Sequence, residues 1–109
     1  MISLSDIDSN IYLLDDHVID AGTGFNFTRL MDMLRIAKKS LEDFKWVVNT
    51  HGHFDHIGGD GYFLGAKTAI HEKDAFIIEK GDANASMADF FDGKIKPRQV
   101  DRKLKEGDL

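Results

Sequence analysis

The sequence of 109 residues contains no cysteine and only one proline. The absence of cysteine excludes disulfides, zinc–thiolate sites, iron–sulfur clusters and a cysteine nucleophile. It fits the reducing cytoplasm, which we take as the expected location. Long apolar runs are also missing, because none exceeds four residues, far below the ~20 of a membrane helix. The first residues form no basic and apolar leader, so no signal peptide is predicted.

Positive charge is also scarce, since the sequence has 14 basic and 19 acidic residues and a net charge of -5. Nucleic acids and anionic membranes both bind basic surfaces, so neither is expected as the main partner. A small-molecule substrate is the expected partner instead. The hydrophobic fraction of 42% is ordinary for a globular protein, and the length suits one domain over residues 1–109.

The pattern of apolar residues predicts an alternation of strands and helices. Strands are predicted at 10–14, 17–19, 44–48 and 67–71, with a last one around Val100 and Leu104. Helices are predicted from a cap at Asn26 to Leu41, and over 57–64, 72–80 and 84–91, the last burying Met87, Phe90 and Phe91. Residues 106–108 resemble a hairpin turn. This order indicates an α/β (or α+β) fold with a mixed sheet and helices on its outer face.

Four possible metal ligands, His51, His53, Asp55 and His56, follow the predicted strand 44–48 within six residues. In an extended turn, His51 and His53 point to the same side and can bind one divalent ion through imidazole nitrogens. If the chain then enters a helix, Asp55 and His56 project toward a second ion. A metal lowers the pKa of bound water to about 7, so it supplies hydroxide at neutral pH. Asp55 is therefore also the candidate catalytic residue, steering that nucleophile or a proton.

The segment Asn49-Thr-His-Gly-His-Phe-Asp-His-Ile-Gly-Gly59 resembles the signature of the metallo-β-lactamase superfamily. Other segments also resemble this superfamily. The opening hairpin of the fold is similar to residues 9–14 and 19–24, and segments of the hydroxyacylglutathione-hydrolase-like (glyoxalase II-like) branch are similar to residues 70–74 and 105–108. The resemblance implies the N-terminal half of an αββα sandwich and two divalent metal ions, expected to be zinc, with iron or manganese as alternatives. It also implies that Asp20 bonds to the ligand loop and fixes its geometry.

The same resemblance implies a metal-dependent hydrolase that cleaves a thioester, ester or lactone with a metal-bound hydroxide. Family members supply two more histidines and a bridging aspartate downstream, and these have no counterpart here. We therefore expect an incomplete domain that is inactive on its own. One alternative is a single-iron oxygenase similar to persulfide dioxygenases, and another is a non-catalytic fragment. His71 does not replace the third histidine on spacing, and His17 is expected at the surface.

Overall fold

The computed structural model describes residues 2–105. Its centre is a five-stranded sheet in which the strands lie side by side in chain order. The first two strands pair antiparallel, and each later pair is parallel. The strands are β1 Tyr12–Leu14, β2 His17–Ile19, β3 Trp46–Asn49, β4 Lys67–His71 and β5 Arg102–Leu104. The mixed α/β fold predicted from the sequence is therefore confirmed.

Within residues 2–105, four helices connect the strands. They are α1 Phe27–Ile36, α2 Phe54–Ile57, α3 Ala75–Lys80 and α4 Ala83–Ser86, with short 3-10 turns at Leu41–Asp43 and Asp60–Tyr62. The helix α2 is a single turn that starts directly after the loop following β3. None of the helices within residues 2–105 has the length and apolar character required to cross a membrane.

The apolar side chains form two clusters. In the first, Leu30 and Leu34 of α1 pack with Val18 of β2 and Val47 of β3. Their spacing explains the helix, because residues four apart lie on one helical face and can be buried together. The second cluster gathers Ile57 of α2 with residues of β4, α3 and the segment before β5. The second cluster therefore packs α2 against β4 and α3.

Three local predictions are wrong. Asn26 precedes α1 but its side chain makes no capping bond; its amide instead donates to Asp8 Oδ2 over 2.6 Å. The predicted helix 57–64 is replaced by the end of α2 and a 3-10 turn. The helix predicted to bury Met87 and Phe90 ends at Ser86, and these two residues are 44% and 78% exposed.

A left-handed residue and a backbone hydrogen bond account for two of these differences. Met87 has φ 63°, a left-handed conformation that ends α4 and breaks the helical spacing on which the prediction depended. Gly59 donates its backbone N–H to Gly22 O over 2.9 Å, so the chain after α2 is held against the glycine loop instead of continuing as a helix. The predicted turn at residues 106–108 lies outside the described residues.

Candidate metal centre

The motif lies where β3 ends and α2 begins. β3 stops at Asn49, and His53 is the residue immediately before α2, so Asp55 and His56 lie in the first helical turn. The ring centroids of His51 and His56 are 4.9 Å apart, and those of His51 and His53 are 6.4 Å apart. His56 Nε2 lies 3.7 Å from Asp55 Oδ2. The four side chains thus follow the end of β3, and their contacts are pairwise: His51 with His53, His51 with His56, and His56 with Asp55.

Asp20 ties this loop to the end of β2. Its Oδ1 accepts from the backbone N–H of Thr50 over 2.8 Å, and its Oδ2 accepts from the Thr50 hydroxyl over 2.6 Å. His56 Nδ1 lies 2.9 Å from the same Oδ2. The hydrogen bond predicted between Asp20 and the motif segment is therefore present. The carboxylate is 4% exposed, and three donors compensate for its burial.

These bonds orient both neighbouring imidazoles. A carboxylate only accepts, so its contact with His56 favours the ring form that carries a proton on Nδ1 and leaves Nε2 free. The Thr50 hydroxyl donates to Asp20, which leaves its oxygen to accept from His51 Nδ1 over 3.0 Å. The hydrogen-bonded chain that starts at Asp20 thus engages Nδ1 of both His51 and His56 and leaves Nε2 of each ring outside it.

The charge of Asp20 also acts on the titration of His56. The hydrogen bond with Asp20 raises the pKa of the His56 imidazole above its ordinary value; burial opposes this, and the negative charges of Asp20 and Asp55 add to the increase. The protonated ring is stabilised by folding, so its contribution to stability is full below the unfolded pKa of about 6.5. That contribution is lost as the pH rises through the raised folded pKa.

Backbone bonds fix α2 against its neighbours. Ala21 N–H donates to His56 O over 2.8 Å, and Ser9 N–H donates to Asp55 O over 3.0 Å. A Cβ on Gly58 would collide with the carbonyl of Thr23. Glycine is therefore required here for the close approach of α2 to the glycine loop.

Three positioning residues were missed by sequence reasoning. Thr50 supplies the hydroxyl between Asp20 and His51, Asp74 Oδ2 accepts from the backbone N–H of Gly52 over 3.2 Å, and Asn49 Nδ2 donates to Asp60 Oδ1 over 3.0 Å. The quoted motif includes Thr50 and Asn49, but no sequence signal predicts what they bond. Asp74 lies 22 residues beyond Gly52, where only the tertiary structure reveals the contact.

The other two histidines lie apart from the motif contacts. His17 Nδ1 lies 2.7 Å from Asp16 Oδ1 at the β1–β2 turn, and His71 Nδ1 accepts from the backbone N–H of Lys73 over 3.1 Å. His71 therefore bonds to the turn that leads into α3.

Imidazole and carboxylate donors fit a divalent metal such as zinc in chemical type. Their positions do not form a complete metal site. Across residues 2–105, no three histidine, aspartate or glutamate side chains are grouped closely enough to hold a metal ion. The contacts between the motif side chains are pairwise. The chain therefore supplies oriented donors rather than a closed coordination shell.

Comparison with known proteins defines the class. The model of the metallo-beta-lactamase superfamily matches residues 6–109, so the chain belongs to this superfamily. A protein of Methanocaldococcus jannaschii named "Probable metallo-hydrolase" is 30% identical over 95 residues, which cover 82% of this chain and 45% of that protein. The chain thus spans less than half the length of this curated relative. The glyoxalase II-like branch is not distinguished by these matches.

Solved structures show the same fold. A subclass B3 metallo-β-lactamase of Bradyrhizobium japonicum superposes with a TM-score of 0.73 at 25% identity, covering 90% of this chain and 39% of that one. A class B3 di-zinc metallo-β-lactamase from an Alaskan soil metagenome gives a TM-score of 0.68 at 22% identity, covering 86% and 38%. The five-stranded sheet and its helices therefore correspond to part of the metallo-β-lactamase fold.

Proposed function

We propose that this chain supplies part of a divalent-metal centre that hydrolyses a thioester, ester or lactone of a small molecule. His51, His53, Asp55 and His56 are the proposed ligands, and zinc is the proposed metal. The observation that carries the proposal is the hydrogen-bonded chain from Asp20 through Thr50 to His51, together with the contact between Asp20 and His56. It leaves one nitrogen of each ring free to bind a metal.

When bound, such a metal polarises a carbonyl and activates water for attack on it. The residues of this chain have separate tasks around it. Asp20 holds two imidazoles in one tautomer, and the backbone bonds of Ala21 and Ser9 hold α2 in place. Asp55 is partly exposed beside His56. That position suits a carboxylate that holds or transfers a proton near the reacting carbonyl.

Zinc titration of the 15N-labelled chain, followed through the histidine ring nitrogens by NMR, tests the site. We expect the Nε2 resonances of His51 and His56 to shift while their Nδ1 resonances keep a protonated signature. His53→Ala should weaken zinc binding at least about tenfold, since one ligand is removed. His17→Ala and His71→Ala are matched controls and should leave it unchanged. Equal effects of all three substitutions would contradict the proposed ligand set.

Hydrolysis is tested separately with a simple acyl thioester, a 4-nitrophenyl ester and a γ-lactone. Because the described residues contain no group of three donors, we expect no measurable turnover by the chain alone, and any turnover that does appear should require added metal and be lost in His53→Ala. Turnover that survives both the chelation of metal and this substitution would refute the proposed chemistry. Zinc binding without turnover is therefore the expected result, and metal-dependent turnover close to that of a full-length relative would show that the donors of this chain suffice for hydrolysis.

A further inference from the structure

The carboxylate of Asp8 joins the first residues of the chain to the loop between β2 and α1. Its Oδ1 accepts from the backbone N–H of Thr23 over 2.6 Å and from the Thr23 hydroxyl over 2.7 Å. Its Oδ2 accepts from the Ser5 hydroxyl and from Asn26 Nδ2, each over 2.6 Å. One half-buried side chain therefore receives four donors, which is about as many as a carboxylate can accept.

Asp8 carries its negative charge at neutral pH. Burial raises the pKa of the Asp8 carboxyl, but the hydrogen bonds from Ser5, Thr23 and Asn26 outweigh burial and leave the pKa below its ordinary value. Hydrogen bonds to an ionised acceptor are stronger than those between neutral groups. These four bonds are therefore suited to hold a segment that would otherwise adopt many conformations.

The glycine loop, residues 20–24, requires such a restraint. Gly22 and Gly24 have φ of 73° and 88°, and a glycine loses more conformational entropy than other residues when one conformation is fixed. A Cβ on Gly22 would lie 2.8 Å from Asp8 Oδ1, so the carboxylate lies directly against the loop. The Gly22 carbonyl in turn accepts from the N–H of Gly59 over 2.9 Å. The bonds to Asp8 therefore offset the cost of ordering a loop that contacts the chain after α2.

The two segments that Asp8 joins both bond to α2. From the glycine loop, the Ala21 N–H donates to His56 O over 2.8 Å. From the N-terminal segment, the Ser9 N–H donates to Asp55 O over 3.0 Å. The backbone carbonyls of the two motif residues in α2 are therefore held by two segments, and the side chain of Asp8 fixes these segments to each other.

Asp8 and Asp20 act on different parts of the motif. Asp20 contacts the His56 ring at Nδ1 and accepts from the Thr50 hydroxyl, which contacts His51. Asp8 acts instead on the backbone of α2, through the segments that bond to it. Loss of the Asp8 carboxylate should therefore release α2 and leave the contact between Thr50 and His51 in place.

We propose that Asp8 is a positioning residue for Asp55 and His56, the two proposed metal ligands that lie in α2. It acts through the glycine loop and through Ser9, which together set the position of this helix. The proposal rests on the proposed function, because that function assigns Asp55 and His56 to the metal. The positioning of α2 requires no metal, so it can be measured separately.

Hydrogen exchange of the metal-free, 15N-labelled chain measures the positioning of α2. In Asp8→Ala, the protection factors of the Ser9, Ala21 and Gly59 amides should fall at least about tenfold more than those of the amides in β3 and β4, because their bonds open locally. An equal fall at all of these amides would show a general loss of stability and would overturn the proposal.

Asp82→Ala is the matched control. Asp82 is also half-buried, and its Oδ1 accepts from the backbone N–H groups of Asn84 and Ala85 over 3.0 and 2.9 Å. Its removal should leave the amides that bond to or beside α2 as protected as in the original chain, relative to those of β3 and β4. The same selective loss in Asp82→Ala as in Asp8→Ala would remove the special role of Asp8.

Zinc titration followed at the histidine ring nitrogens adds a measurement that a purely structural role would not change selectively. In Asp8→Ala, the Nε2 shift of His56 should require about tenfold more zinc to reach its midpoint, whereas the midpoint for His51 should stay the same. Equal weakening at both rings would overturn the proposal. If neither ring of the original chain responds to zinc, the proposed ligand set fails, and hydrogen exchange still decides whether Asp8 positions α2.

Asp8→Asn keeps the proposal falsifiable if Asp8→Ala does not fold. The asparagine retains one acceptor oxygen for Thr23 and loses the acceptor that faces Ser5 and Asn26. The same selective pattern should appear with smaller changes, about threefold at the amides that bond to or beside α2 and at the His56 midpoint. A uniform change across the sheet and α2 in this variant would also overturn the proposal.

Discussion

Two aspartates, Asp20 before the motif and Asp60 after it, show how differently one side chain can be used at equal burial. Both are 4% exposed. Asp20 faces three donors from Thr50 and His56. Asp60 has a single side-chain donor, Asn49, and one oxygen without a partner among the described residues. The first carboxylate organises its neighbours, whereas the second is itself incompletely satisfied.

The pKa of Asp60 reflects this difference. Burial raises the pKa of the Asp60 carboxyl to about 7; the hydrogen bond from Asn49 and the charge of Arg98 lower it only in part, and the charge of Asp20 raises it further. A carboxylate that is buried in a protein interior without enough hydrogen bonds lowers the stability of the folded state. The comparison indicates a positioning role for the Asp20 carboxylate, which the incompletely bonded Asp60 carboxylate does not share among the described residues.

Removal of the Asp20 carboxylate should have the largest effect on the free energy of unfolding. Asp20→Ala leaves the donors of Thr50 and His56 without their buried acceptor, so we expect a loss of about 3–5 kcal/mol in the free energy of unfolding. If His51 and His56 bind zinc, the same change should weaken that binding about 10–100-fold. Urea unfolding measures the first effect and zinc titration the second.

Thr50→Val sharpens this prediction, because it removes the hydroxyl between Asp20 and His51 and keeps the backbone bond. We expect about 1 kcal/mol of destabilisation. The imidazole of His51 should then exchange between tautomers, while that of His56 stays fixed. A stability change in Thr50→Val as large as that in Asp20→Ala would show that the carboxylate does not organise this loop.

The close approach of Gly59 to the loop after Asp20 should have the next largest effect on the free energy of unfolding. A Cβ on Gly59 would collide with the carbonyl of Ala21, so Gly59→Ala should push the segment containing Asp60 away from the loop after Asp20. We expect about 1–3 kcal/mol of destabilisation, as for overpacking elsewhere. Gly61→Ala is the matched control, since its Cβ would meet nothing within 4 Å. Thermal unfolding of both variants checks the difference, and equal melting temperatures would contradict it.

The sequence was most informative where local pattern and burial agree. The predicted strand 67–71 matches β4 in full, because its β-branched and apolar residues fit the buried interior of a sheet. The motif indicated the site because ligand spacing is a local property. The bond from Asp20 to the loop was also predicted, but from the resemblance to the superfamily; the parallel pairing of β2 with β3, which brings the two strand ends together, is seen only in the structure.

The rest depends on contacts that no local pattern contains. Asp60 lies in a glycine-rich segment typical of an exposed turn, and charged residues are rarely buried. Its burial arises because distant segments, including Arg98, pack over it. Phe90 was expected in the core from its spacing, but the left-handed conformation of Met87 ends the helix before it. Such reversals follow from tertiary packing and backbone strain rather than from composition.

The remaining expected effect concerns Asp60 and depends on pH. Its folded pKa is raised from 3.8 to about 7, so the protonated carboxyl favours folding. That contribution is full below the unfolded pKa, declines as the pH rises, and is lost above the folded pKa. Asp60→Asn cannot ionise and can still accept from Asn49. The variant should therefore gain stability relative to the original chain between pH 4 and pH 8, by more than about 1 kcal/mol. Urea unfolding of both proteins at the two pH values isolates this term, because the titration of His56 is common to both. A difference that does not change with pH would show that Asp60 ionises as easily as an exposed carboxylate, and the contrast with Asp20 would then be one of bonding geometry alone.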